Sequence, residues 1–309
     1  MKLYVGVTDN NWFEFLSRLP DCDEVNFWQP SPSSAFKALQ PGELFLFKLK
    51  SPYNHIAGGG FFTYYTTLPV SLAWEAFKEK NGTPSFQEMR SLILSKRNLP
   101  SDTREDFQIG CILLTQPFFL DQNLWFIPPE WSKSIQTGKG YGLDEEAGKV
   151  IWNRIQYILE QKDTRDLQFK EALEEQQRYG REQVIKPRLG QGSFRICVTD
   201  AYKRSCAVTG ERALPVLEAA HIKPFSKSGP HMVQNGLLLR SDLHRLFDKG
   251  YMTLTTKLDI EVSRRIKEEF DNGEYYYTLH GKKMRQPAHL DDLPEKKFIT
   301  WHNEKVFLG

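Results

Sequence analysis

The stretch covering residues 217–248, LEAAHIKPFSKSGPHMVQNGLLLRSDLHRLFD, limits what this chain can fold into more than any other part of it. It opens with a short apolar strand pattern over residues 216–220 that ends on His221. A polar loop follows, with Lys223, Pro224, Ser226, Lys227, Ser228, Gly229 and Pro230, residue types that stop regular structure. Asn235-Gly236 is a turn dipeptide, and Leu237, Leu238 and Leu239 make an apolar run short enough for a buried strand. Ser241 or Asp242 then supplies an N-cap for a helix over residues 243–248, closed by Lys249-Gly250. The segment thus predicts strand, loop, strand, helix. A His closes the first strand, an Asn opens the second and a His lies in the helix.

This order resembles the ββα-metal unit of HNH nucleases. The resemblance implies a general base at His221, a ligand of one divalent metal at His244, and a role for Asn235 in orienting His221 through the loop backbone or in approaching the metal. A phosphodiester resists hydrolysis until a water is deprotonated and the leaving oxygen's charge is neutralised, and a neutral imidazole suits the first task near neutral pH. Many family members carry an acidic or His ligand directly before the base, where this chain has Ala220. Glu218, two residues earlier and so on the same strand face, is the candidate second ligand. Asp248, one turn after His244, is placed to orient that imidazole. Mg²⁺ or Mn²⁺ is the expected cofactor. His231, His280, His289 and His302 have no place in the pattern.

The 309 residues suffice for two domains, and 40% hydrophobic with 26% charged residues is the balance of an ordinary globular protein. No apolar run approaches the roughly 18 residues of a membrane span, and Asp9 interrupts the N-terminal segment before a signal peptide could form. Cys22, Cys111, Cys197 and Cys206 are scattered without a Cys-x-x-Cys pair, which suits a reducing cytoplasm and predicts no structural zinc. Charge is uneven: residues 1–180 hold 19 basic and 23 acidic side chains, net −4, while the remainder holds 22 and 16, net +6. A basic second half fits a polyanionic partner.

Over residues 1–142 the pattern is mostly β, with strands expected at residues 3–7, 24–28, 44–50, 55–65 and 110–114. Helices are expected at residues 12–19, 35–39, 71–80 and 85–97. The order YVGVTDNNW, NFWQPS, LQPGELFLFK and a Gly-Gly-Gly-Phe-Phe strand is similar to that of EVE domains, members of the PUA-like superfamily of small β-barrels that include readers of modified bases. A modified cytosine cannot be inspected fully inside a duplex, so such a reader flips it onto aromatic walls with a few polar groups for its edge. Trp28, flanked by Asn26 and Ser31 before a proline break, offers that combination. Trp12, Phe62, Tyr64 and Trp74 are further candidates for the pocket.

Residues 143–180 read as a helical linker with Ile151, Ile155, Ile158 and Leu159 on one face, and the arm is a candidate dimerisation element because single-site nucleases cut both strands as pairs. From residue 181 onward, RLGQGSFR and CAVTG resemble the lead-in of HNH restriction endonucleases. Arg188, Gln191, Arg195, Arg204 and Lys223 are candidate contacts to DNA, although Arg195 and Arg204 could equally pair with carboxylates. The expected architecture is α+β: an EVE-like, PUA-like barrel (1–142), a helical linker (143–180) and a ββα-metal HNH nuclease domain (181–309). The resemblances together imply a cytoplasmic restriction enzyme of the modification-dependent kind. It would cleave double-stranded DNA carrying 5-methylcytosine or 5-hydroxymethylcytosine. Two other readings are a non-catalytic ββα clamp on nucleic acid and an HNH nuclease guided by an RNA-binding PUA-like module.

Overall fold

Strand β3 (Leu44–Leu49), LFLFKL, has all six residues buried, so both of its faces must be covered. Leu44 and Leu46 pack to one side with Leu3, Val5 and Phe61, while Phe45 and Phe47 pack to the other with Trp12, Phe13 and Phe62. The computed structural model describes residues 2–32, 35–161 and 189–309, the side chains of residues 159–161 excepted. Contacts divide the chain into two compact units, Met1–Pro187 and Arg188–Gly309.

In the first unit β3 is central to a six-stranded sheet with β1 (Lys2–Thr8), β2 (Glu24–Gln29), β4 (Ile56–Pro69), β5 (Gln108–Phe119) and β6 (Gly138–Gly142), in the order β2-β5-β4-β3-β1-β6. Only β1 and β3 run parallel, and the chain between them contains helix α1 (Asn10–Ser17), which starts where the Asp9 carboxylate accepts the Asn11 N–H at 3.2 Å. The long strands β4 and β5 bend through register shifts near Gly59 and Phe62. The expected barrel does not close: β2 and β6 each pair on one side only. Strand β6 is short and glycine-rich, and β2 runs into Pro30, which has no N–H to offer a further ladder.

Helix α2 (Val70–Phe77) ends in a 3-10 turn, Lys78–Asn81, and α3 (Phe86–Lys96) begins at Ser85, whose hydroxyl accepts the Glu88 N–H at 3.2 Å and donates to the Glu88 carboxylate at 3.1 Å. The helix expected at residues 35–39 does not form, and the chain between Pro32 and Pro41 has no regular structure in its described part. Of the helical linker, α4 (Glu146–Gln161) is described, and Ile151, Trp152, Ile155 and Ile158 are buried in the first unit's core. Residues 162–188, with Arg188 among them, lie outside the described residues. Among the described residues no helix is long and apolar enough to cross a membrane.

The second unit contains α5 (Gln191–Ala201), β7 (Leu217–His221), β8 (Gly236–Arg240), α6 (Ser241–Asp248), β9 (Met252–Leu254), β10 (Ile260–Val262), α7 (Arg265–Phe270), α8 (Glu274–Tyr277) and α9 (Lys296–Lys305). Strands β7 and β8 pair antiparallel with His221 opposite Gly236. Phe194 and Val198 of α5, Leu237 to Leu239, Leu243 and Phe247 of α6, and Phe298 of α9 share one core. The cap of α6 differs from expectation: Arg240 occupies it, and Asp242 instead takes the Arg240 guanidinium at 2.6 and 2.7 Å from the first turn.

Gly82 closes the 3-10 turn with φ +80°, and a Cβ there would collide with the Trp12 indole. Gly82→Ala should therefore destabilise the first unit by about 2–4 kcal/mol, adding left-handed strain to overpacking. Urea unfolding followed by tryptophan fluorescence checks this, and an unchanged midpoint would refute it.

Candidate active site

Three sequence elements bring the predicted histidines and asparagine to one end of the ββα unit. Leu217 and Ala220 of β7 are buried while Glu218 is exposed, so the strand sets its acidic side chain outward and delivers His221 at its end. The His221 ring is stacked on Phe194 of α5, centroids 3.8 Å apart and planes 13° from parallel. Its Nε2 lies 2.9 Å from Nδ1 of His231, which is itself stacked on Phe225 at 4.4 Å. Burial, aided by His231 and His244, pulls the His221 pKa from 6.5 down to about 4. The ring is therefore neutral at physiological pH, with a lone pair available to take a proton.

Asn235 is fully buried, and its carboxamide is spent on the loop that follows His221. Oδ1 accepts the Lys223 N–H at 2.9 Å, and Nδ2 donates to the carbonyls of Lys223 and Pro230 at 2.9 and 3.0 Å. The Asn235 carbonyl also accepts the Ile222 N–H at 2.9 Å. Both ends of the loop are thus tied to one residue.

His244, on α6, has a carboxylate against each ring nitrogen. Nδ1 lies 2.6 Å from Glu218 Oε2, and Nε2 lies 3.3 Å from Asp248 Oδ2. Burial raises the Asp248 pKa and Glu218 adds to the rise, while His244 opposes it. Because the two carboxylates sit on opposite sides of the ring, the three groups do not converge on one point. Among the described residues no group of three or more His, Cys, Asp or Glu side chains could hold a metal ion unaided.

With this geometry in view, residues 206–255 match the family model described as HNH endonuclease. The second unit carries an HNH endonuclease domain. That span includes β7, β8 and α6 entire, with His221, Asn235 and His244. No curated protein matches the chain. Among solved structures, a "Modification dependent TagI restriction endonuclease" aligns over 97% of this chain and 81% of its own, at 12% identity and a TM-score of 0.27. A likeness that low transfers neither fold nor activity.

The remaining candidates are scattered. Arg204 pairs with Asp200 at 3.0 Å, Gln191 is exposed at the start of α5, and Lys223 sits over the Trp301 ring at 5.7 Å. Arg195, on α5, is half-buried. In the first unit Trp12 and Phe62 fill the core, Asn26 is buried on Asn81 at 2.9 Å, and Trp74 tilts against Phe86. Trp28 is half-buried and donates its indole N–H to the Asn81 carbonyl at 2.8 Å, while Ser31 and Tyr64 are exposed.

Of the four histidines outside the sequence pattern, His231 and His302 make contacts that bear on the ββα unit. His231 could have been suspected only from Phe225 and His221 flanking the same short loop. His302, on α9, is buried against Phe247, with Nδ1 2.8 Å from the Thr253 hydroxyl and Nε2 3.1 Å from the Phe247 carbonyl, near the end of α6. Burial draws its pKa from 6.5 to about 4, outweighing the carbonyl contact that would raise it. The unfolded chain therefore binds a proton on His302 near pH 6.5 that the folded chain refuses until about pH 4, so stability falls as pH drops through that window. The loss amounts to roughly 3 kcal/mol for this group. Urea unfolding at pH 7 and pH 4.5 should show that drop, and His302→Gln should shrink it; an equal pH slope in the variant would refute the assignment.

Proposed function

We propose that this chain is a divalent-metal-dependent DNA endonuclease that cuts near modified cytosine. The observation that carries the nuclease half is the joint placement of a neutral, stacked His221, an Asn235-clamped loop and a Glu218-faced His244 on one ββα unit. The reader is assigned to residues 1–142 and the nuclease to residues 181–309, joined by residues 143–180.

Glu218 and His244, in contact on the ββα unit, offer an oxygen and a nitrogen donor of the kind that would suit one divalent cation such as Mg²⁺ or Mn²⁺. Glu218 and His244 would hold the ion, and Asp248 would fix the ring from its other nitrogen. Such an ion supplies Lewis-acid neutralisation of the charge that builds on the scissile phosphate. His221 takes the proton of the attacking water as the new phosphorus–oxygen bond forms and the bond to the 3′ oxygen breaks, and the departing oxygen is protonated from solvent. Asn235 holds the loop in place without touching substrate. Gln191, Arg195 and Lys223 supply backbone contacts from the basic half of the chain.

For the reader, the resemblance to EVE domains is supported by Trp28, whose indole is held by Asn81 while its ring stays partly open beside exposed Ser31. Asn26, two residues before Trp28 on the same strand, donates its amide to the Asn81 side chain at 2.9 Å. Trp12 and Phe62 support the pocket from the core, and Tyr64 and Trp74 are its outer aromatic candidates. The base would be flipped from double-stranded DNA and held against Trp28, and pairing of two chains would allow both strands to be cut.

Matched plasmids containing cytosine, 5-methylcytosine or 5-hydroxymethylcytosine, incubated with Mg²⁺ or Mn²⁺, test both halves. Cutting confined to modified plasmids is expected, whereas equal cutting of all three would retain the nuclease and discard the reader. His221→Ala should lower cleavage by about 100-fold or more while binding persists. Trp28→Ala should retain cleavage chemistry and lose the preference for modified DNA; undiminished discrimination would move the pocket elsewhere. Competition by RNA for the full-length protein would instead favour an RNA-reading module.

A further inference from the structure

The loop between the two strands of the ββα unit holds a second imidazole that the HNH pattern does not use. His221 Nε2 and His231 Nδ1 are 2.9 Å apart, within hydrogen-bond distance. Each ring is backed by a phenylalanine: Phe194 lies 3.8 Å from His221 and Phe225 lies 4.4 Å from His231, both nearly parallel. The two rings meet at 61° with centroids 5.0 Å apart, so an edge nitrogen of each points to the other rather than the faces stacking. Both stacks limit rotation of the pair. The loop that carries His231 is held in turn by the Asn235 amide at Pro230, the residue directly before it.

A neutral imidazole has one N–H and one lone pair, and the bond made by one nitrogen determines what the other can do. If His231 Nδ1 accepts, His221 carries its proton on Nε2 and presents a bare Nδ1. If the bond ran the other way, His221 would hold its proton on Nδ1 and have no lone pair left for a water. Only the first arrangement serves a base. It also strengthens during the reaction: once Nδ1 has taken a proton, the Nε2–H bond to His231 becomes charge-assisted, offsetting the cost of an imidazolium in a half-buried pocket.

Resting on the nuclease reading above, we infer that His231 is a positioning residue that fixes His221 in the Nε2–H tautomer, so that Nδ1 is the nitrogen that receives the water proton. His231 itself is then an Nε2–H imidazole. It acts through His221.

Nitrogen-15 histidine spectra of the metal-free, full-length protein at neutral pH read the tautomer directly, with the His221 signals identified by their loss in His221→Ala. The wild type should show His221 protonated on Nε2 and bare on Nδ1. His231→Ala should mix the two tautomers and lower kcat on modified plasmid by about 10- to 100-fold with KM unchanged, the range seen when a ring-orienting partner is removed. His231→Asn, whose amide oxygen can stand where Nδ1 stands, should restore both the tautomer and most of kcat, which a general loss of folding would not permit. A wild-type His221 protonated on Nδ1 would overturn the inference, and so would a His231→Ala protein with unchanged tautomer and kcat. If the wild type cuts no plasmid, the nuclease reading fails while the spectra still decide the tautomer.

Discussion

The carboxamide of Asn235 is the contact on which the site depends. A loop of polar and proline residues leaves β7 at His221 and returns at β8 through two short 3-10 turns, and Asn235, in the second of them, ties its two ends together. One buried side chain accepts an N–H and donates to two carbonyls across that loop, and its own backbone carbonyl takes a fourth bond. Each of these groups would cost about 1–3 kcal/mol if buried without a partner, so loop and amide fix each other. The position of His221, at the junction of strand and loop, follows from that closure.

Around this clamp the second unit separates its imidazoles by environment. His221 and His302 are both neutral at physiological pH through burial, yet one faces the loop mouth and the other ties α9 to α6. His244 differs from both because carboxylates meet it on two sides. Desolvation favours a lone pair on His221, while His244 lies between two carboxylates. The same side chain type thus meets different electrostatic surroundings at each position.

The first unit rests on a different constraint, a strand that must be covered on both faces. Helix α4 covers the Leu44 and Leu46 side, and α1 with Phe62 covers the Phe45 and Phe47 side. This leaves few aromatics for a ligand: Trp12 and Phe62 are consumed by the core, and Trp28 stands at its margin beside the Asn81 turn. It also gives the apolar face of α4 its place, since Ile151, Ile155 and Ile158 supply cover that β3 needs.

Much of the ββα unit was legible in the residues alone, because its signals are local. An apolar strand ending in His, an Asn-Gly turn, a leucine run and a short helix stopped by Gly250 are read within a few positions of one another. Five of the first unit's six strands were legible for the same reason, while the short, glycine-rich β6 was not expected. What only the tertiary structure decided was long-range: that the sheet stays open, that α4 joins the core, that His231 reaches His221, and that His302 reaches α6 from 55 residues away. Periodicity reports which face of an element is buried but carries no record of which distant side chain covers it, and hydrogen bonds between loops leave no period at all.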